Sequence, residues 1–212
     1  MTCDAGGVDA RPFERRIAVA VKLAALAGPA APGVAARRPR RLRSWIAGSL
    51  ALAAVAVAAF RFWPHEPLPP GLTADRVVVD KSARTLSLLR DNTVIRSYRV
   101  SLGRNPSGHK LQEGDGRTPE GLYRLDGRNA RSGFYRALHV SYPSPEDSRR
   151  AAQNHVAPGG QIMVHGIKNG LGWLGRLHRL VDWTDGCIAV TNDEMRDIWN
   201  AVATGTPIEI RP

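Results

Sequence analysis

From residue 72 to residue 212 apolar and polar positions alternate in short runs separated by turn residues, the period-2 signature of half-buried strands. The runs fall at 76–80, 85–89, 94–102, 121–125, 136–142, 161–165, 187–190 and 208–210, with a turn at Asp91-Asn92 after the second. In the third, Tyr98, Val100 and Leu102 alternate with Arg99 and Ser101. Two stretches change period. Ser144-Pro145-Glu146-Asp147 offers an N-cap, a proline at the first helical position and acids in the first turn. Thr191-Asn192-Asp193-Glu194 is a capping box, and Met195, Ile198, Trp199 and Val202 behind it fall on one helical face until Gly205 and Pro207. The pattern predicts a mainly β domain with a few helices, long enough to enclose one core.

Ahead of that domain the pattern is different. Residues 44–60 carry no charge over seventeen positions and follow the run Arg37-Arg38-Pro39-Arg40-Arg41-Leu42-Arg43. A membrane span needs about 17 to 25 apolar residues, and arginines before it hold that side in the cytoplasm. Arg61 can snorkel, and Phe62 and Trp63 suit an interface. The expected layout is a basic, disordered cytoplasmic tail over 1–43 and a single transmembrane anchor over 44–63. A stiff Pro-rich linker over 64–71 then stands a periplasmic domain (72–212) off the inner membrane. The alternative for 44–63 is a cleaved export signal, because Ala54-Val55-Ala56 and Ala56-Val57-Ala58 both offer cleavage sites.

Charge supports this layout and excludes another. The chain is +11, but residues 1–43 hold nine Lys/Arg against three acids, so the basic excess lies mostly in the tail. No basic run interleaved with aromatics marks the folded part, and nucleic acid is not an expected partner. The two cysteines, Cys3 and Cys187, fall on opposite sides of the expected membrane, which leaves no intramolecular disulfide. No metal-ligand spacing is present, and no cofactor is called for.

The candidate chemistry sits at strand ends. Alternation puts His139 and Ser141 on one face of their strand, and Met163 and His165 on one face of the next. His165 precedes Gly166, and Cys187 follows Gly186. A thiol near pKa 8.5 is mostly protonated at neutral pH, so a cysteine nucleophile needs an imidazole to supply thiolate. The pair suggests that chemistry; each residue alone has an ordinary structural reading.

Four stretches together resemble the YkuD family of L,D-transpeptidase catalytic domains, in particular a Gram-negative "GCIAVTN" branch. They are VVVDKSARTLSLLRDNTVIRSYRVSLGRNPSGHK, EGDGRTPEGLYRL, IMVHG and TDGCIAV, in that order. The resemblance implies a β-sandwich or barrel-type catalytic domain. Cys187 would be the nucleophile, His165 the base, the Gly166 carbonyl its orienting group, and the Gly186 and Cys187 amides an oxyanion site. It implies action on peptidoglycan stem peptides, through a thioester formed at meso-diaminopimelate. It also admits an L,D-amidase or carboxypeptidase cutting stem-peptide or lipoprotein linkages, and a silent wall-binding tether. Two positions depart from the commonest pattern: Asp185 stands where His is frequent, and Ala189 where Arg or Asn is frequent. Thr184, Asp185, His139 and Ser141 are the expected substrate contacts. Lys110, Arg117 and Lys168 are candidate partners for substrate carboxylates, and His178 is expected in an exposed loop.

Overall fold

A computed structural model describes residues 40–61 and 64–212, and in it the alternating region forms a single mixed sheet. Its strands are β1 (Arg76–Asp80), β2 (Thr85–Arg90), β3 (Thr93–Arg99), β4 (Gly121–Asn129), β5 (Ala137–Val140), β6 (Met163–His165), β7 (Ile188–Ala189) and β8 (Thr206–Arg211). The spatial order is β3-β2-β1-β8-β4-β5-β6-β7. The last strand of the chain is thus inserted at the centre, parallel to β1 and antiparallel to β4. Its Ile208 and Ile210, with Val77 and Val79 of β1 and Leu86 and Leu88 of β2, are buried in one core.

The expected sandwich or barrel is realised as one curled sheet. Just past β3 the chain returns to the opposite edge, where Ser101 exchanges both backbone hydrogen bonds with Ala189 of β7 (2.9 and 2.8 Å). Gly103 lies opposite Thr184 in a parallel bridge, made by the Leu102 carbonyl and the Arg104 amide on either side of it. The run expected over 94–102 therefore leaves β2 after Arg99 and continues against β7. That closure brings the segment after β3 beneath Cys187.

Both helix-start signals carry reciprocal caps. Ser144 and Asp147 cap α2 (Pro145–Gln153), while Thr191 and Glu194 cap α3 (Asn192–Ala201). Met195, Ile198 and Val202 are buried at the sheet, and Trp199 packs at the margin with the Arg128 guanidinium 4.0 Å over its ring. A nine-residue 3-10 segment (Gly172–Leu180) lies between β6 and β7 and has no counterpart among the sequence expectations.

In the N-terminal unit a helix, here α1 (Arg40–Arg61), is described. This helix begins inside the expected disordered tail, since arginine propagates helix well. Among the described residues no helix is long and apolar enough to cross a membrane. The expected anchor over 44–63 is not shown by the described helix. The tail over 1–39, with Cys3, and Phe62 and Trp63 lie outside the described residues.

Two residues of the segment expected as a stand-off linker touch the domain. His65 Nε2 is 2.8 Å from the buried Asp197 carboxylate, and Leu68 packs on the core. A carboxylate buried on α3 needs donors. Tyr98 supplies one (3.2 Å), and the linker's His65 faces the same oxygen, so the linker lies on the domain.

Candidate active site

Strand register brings the thiol and the imidazole to one face. β6 and β7 are parallel, with Val164 opposite Ile188 and His165 opposite Ala189. One step back, Cys187 falls beside Met163, on the face that carries His165. One strand across and two residues along is roughly 8 Å between Cα atoms. A cysteine and a histidine side chain reaching toward each other span most of that gap. The Cys187 thiol is half-buried and donates to the Gln161 carbonyl at 3.5 Å.

His165 is 3 % exposed, and its ring is fixed by its own chain. Nδ1 lies 2.6 Å from the Gly166 carbonyl oxygen, which can only accept, so the proton is on Nδ1 and Nε2 keeps its lone pair. Phe134 packs on the ring at 4.7 Å between centroids, and Trp183 meets it edge-on at 5.7 Å. Burial lowers the His165 pKa to about 4 against the smaller opposing effect of the Gly166 carbonyl. At neutral pH the imidazole is uncharged and able to take a proton.

The loop that presents Cys187 is braced from below. Thr184 donates its amide to the Leu102 carbonyl (3.2 Å) and accepts the Arg104 amide on its own carbonyl (2.9 Å). Thr184 Oγ1 donates to the Cys187 carbonyl at 2.7 Å and accepts the Gly186 amide at 3.2 Å. Asp182 receives the Leu102 amide and the Arg84 guanidinium. Gly186 has φ +127°, and a Cβ there would sit 2.5 Å from the Arg117 carbonyl oxygen. Gly186→Ala combines a strained backbone with a contact against main chain that cannot swing away. A loss of about 3 kcal/mol in unfolding free energy is expected, together with depressed reactivity of Cys187. Denaturant midpoints and alkylation rates check both.

Several sequence expectations land elsewhere. Thr184 and Asp185, expected at substrate, are engaged within the protein; Asp185 forms an ion pair with Arg104. The Gly186 amide is taken by Thr184, so the expected pair of oxyanion donors loses a member in this conformation. His139 faces Met163 two residues along from His165, and its Nδ1 pairs with Asp126 of β4 at 2.5 Å. Ser141 lies four positions along that strand from the residue opposite His165, roughly 13 Å away, and accepts the Arg124 amide. Lys110 is 3 % exposed and bonded to Asp115 and the Gln112 carbonyl, because a buried ammonium has to be paired. It is not available to a ligand. Arg117 is half-buried under the cysteine loop, and Lys168 is half-buried three residues after His165.

His178 is the clearest correction. It is 1 % exposed, not a loop residue in solvent. The 3-10 segment turns it inward with Leu174, and Trp183 Nε1 donates to its Nδ1 at 3.4 Å. Burial, with the nearby Arg179 charge, lowers its pKa to about 3. Sequence reasoning missed it because a 3-10 segment leaves no 3.6-residue pattern; the only signal was Leu174 and His178 at i, i+4. Among the described residues no group of three His, Cys, Asp or Glu side chains is placed to hold a metal.

A curled, mainly β domain that sets a thiol and a buried neutral imidazole on adjacent strand ends is the class defined by this fold and face. A model of the YkuD L,D-transpeptidase catalytic domain matches residues 74–210, and the chain belongs to that family. No curated protein sequence matches the chain. Among solved structures it is similar to Bd1075 of Bdellovibrio bacteriovorus, at 25 % identity and a TM-score of 0.47, over 68 % of this chain and 50 % of that one. It is also similar to the helical cell shape determining protein Pgp2 of Campylobacter jejuni (23 %, TM-score 0.50, 64 % and 46 %). A third is an L,D-transpeptidase from Xylanimonas cellulosilytica (17 %, TM-score 0.41, 69 % and 65 %). The chain spans about half the length of the first two.

Proposed function

We propose that the domain is a cysteine acyltransferase acting on peptidoglycan stem peptides. One observation carries the reading: His165 Nδ1 is committed to the Gly166 carbonyl, so Nε2 is the acceptor on the face shared with Cys187. In this scheme Nε2 takes the Cys187 proton, and sulfur attacks the carbonyl at the L-centre of meso-diaminopimelate. The C–N bond to D-alanine breaks, and the imidazolium returns its proton to that nitrogen. The thioester is resolved by an amine, giving a 3→3 cross-link or another amide, or by water. Family membership supports the substrate class. The substrate lies outside the cytoplasmic membrane, so the domain is proposed to act in the periplasm, delivered by the arginine-led segment over 44–63.

The test is incubation of the full chain with purified disaccharide-tetrapeptide, with products identified by mass. A tripeptide–tetrapeptide dimer with released D-alanine is the expected result, and a bare tripeptide assigns the acceptor as water. Unchanged tetrapeptide in the presence of an added amine overturns the reading in favour of a wall-binding tether.

A further inference from the structure

Asn192 occupies the first position of α3, just inside the Thr191–Glu194 cap, where a side chain ordinarily points to solvent. Here its carboxamide turns back toward β6. Oδ1 accepts the Ile167 amide at 2.9 Å. That amide and the Gly166 carbonyl are the two ends of one peptide group, and the carbonyl end receives His165 Nδ1 at 2.6 Å. The result is a hydrogen-bonded chain from the Asn192 oxygen through one peptide to the imidazole. We infer that Asn192 is a positioning residue for His165, acting through the Gly166–Ile167 peptide. The inference rests on the proposed role of His165 as the base.

Three features make this more than a loop contact. First, the peptide is hemmed in: a Cβ on Gly166 would meet Asn192 Oδ1 at 2.8 Å, Tyr135 Cβ at 3.0 Å and the Phe134 carbonyl at 3.1 Å. The preceding His165–Gly166 peptide is held as well, its Gly166 amide donating to the Phe134 carbonyl (3.1 Å) and the Arg136 carbonyl (3.2 Å). Tilting the Gly166–Ile167 peptide moves the carbonyl that holds His165 Nδ1, and the imidazole with it. Second, Asn192 is itself fixed, because the capping box holds the start of α3 and the pairing of Glu194 with Arg179 ties it to the 3-10 segment. Third, its amide nitrogen abuts the start of that segment, since a Cβ on Gly172 would lie 2.8 Å from Nδ2. One carboxamide thus sits between the histidine loop and the element that buries His178.

The electronic consequence has a definite sign. An acceptor on the N–H end of a peptide strengthens its carbonyl as an acceptor. A stronger carbonyl favours the charged imidazolium. Asn192 therefore aligns the ring and raises its basicity against the depression imposed by burial. The titratable groups that face His165 are Cys187 from the loop before β7 and His178 from the 3-10 segment; Phe134 and Trp183 bring rings only. Beside Asn192 on α3, Asp193 and Glu194 are paired with Arg196 and Arg179.

The experiment compares full-length wild type, N192A, N192D and the C187A control. It follows turnover of the disaccharide-tetrapeptide and the pH dependence of Cys187 alkylation by iodoacetamide, read from the Cys187 peptide by mass so that Cys3 does not interfere. N192A is expected to lower kcat roughly ten- to hundredfold with KM little changed, and to move the acid limb of alkylation to lower pH. N192D keeps the acceptor and adds a charge, so it should restore most of kcat and move that limb to higher pH. If N192A fails to fold, the upward shift in N192D decides the matter, and its absence overturns the inference. A folded N192A with wild-type kcat and an unmoved limb overturns it too, and leaves Asn192 as packing at a helix start. Turnover by C187A at the wild-type rate is a different failure, that of the nucleophile assignment itself.

Discussion

Cys187→Ala is expected to reduce turnover of the disaccharide-tetrapeptide by at least about 10⁴-fold while leaving the fold in place. An amide bond in a stem peptide is attacked by a group that can both add to the carbonyl and be expelled later, and alanine offers neither step. The imidazole remains in the variant, but water held in the cavity left by sulfur is a poorer nucleophile and carries no covalent intermediate. The structural cost is small. Sγ donates weakly to the Gln161 carbonyl at 3.5 Å, while the loop is held by Thr184, Asp182 and the Gly186 backbone. Unfolding midpoints within about 1 kcal/mol of wild type are expected. Mass analysis of products, with trapping of the thioester in wild type and its absence in C187A, checks the chemistry. Substantial turnover by C187A would sink the acyltransferase reading.

The parts of this design that were legible are those set by near neighbours in sequence. Alternation placed β1 and β2 within one residue and β8 within two, because each strand buries one face and every second residue records it. The N-cap at Ser144 and the capping box at Thr191 were legible for the same reason, since the residues involved are three apart. Illegible features depend on distant partners. Nothing local in β8 says that it enters between β1 and β4, or that 101–104 returns to brace the cysteine loop. Asp185 reads as a substrate contact until Arg104, 81 residues away, is seen against it. Lys110 reads as a partner for a substrate carboxylate until it is seen buried against Asp115. Asn192 is the most instructive case. Helix-start rules account for it fully, and only the tertiary position of the Gly166–Ile167 peptide shows where its side chain is spent.

His165→Ala is expected to lower kcat/KM by roughly 10² to 10⁴-fold, and pH separates its two consequences. In the folded protein burial holds the His165 pKa at about 4, and that of His178 at about 3. In the unfolded chain an imidazole titrates near its ordinary 6.5. Between those values the unfolded chain binds protons that the folded one refuses. Stability is therefore complete above pH 6.5 and falls as the pH drops through 6.5 toward 4. The H165A variant lacks one of the two imidazoles, so its stability should fall less steeply over that window than wild type, measured by denaturant titration at each pH. Activity follows the folded-state value. The acid limb of wild-type kcat/KM should lie near pH 4, well below the ordinary imidazole range, because Nε2 stays unprotonated down to there. A limb at pH 6.5 or above would mean that the working imidazole is solvated and not the buried ring held by Gly166. Equal acid slopes for H165A and wild type would remove His165 from the stability argument.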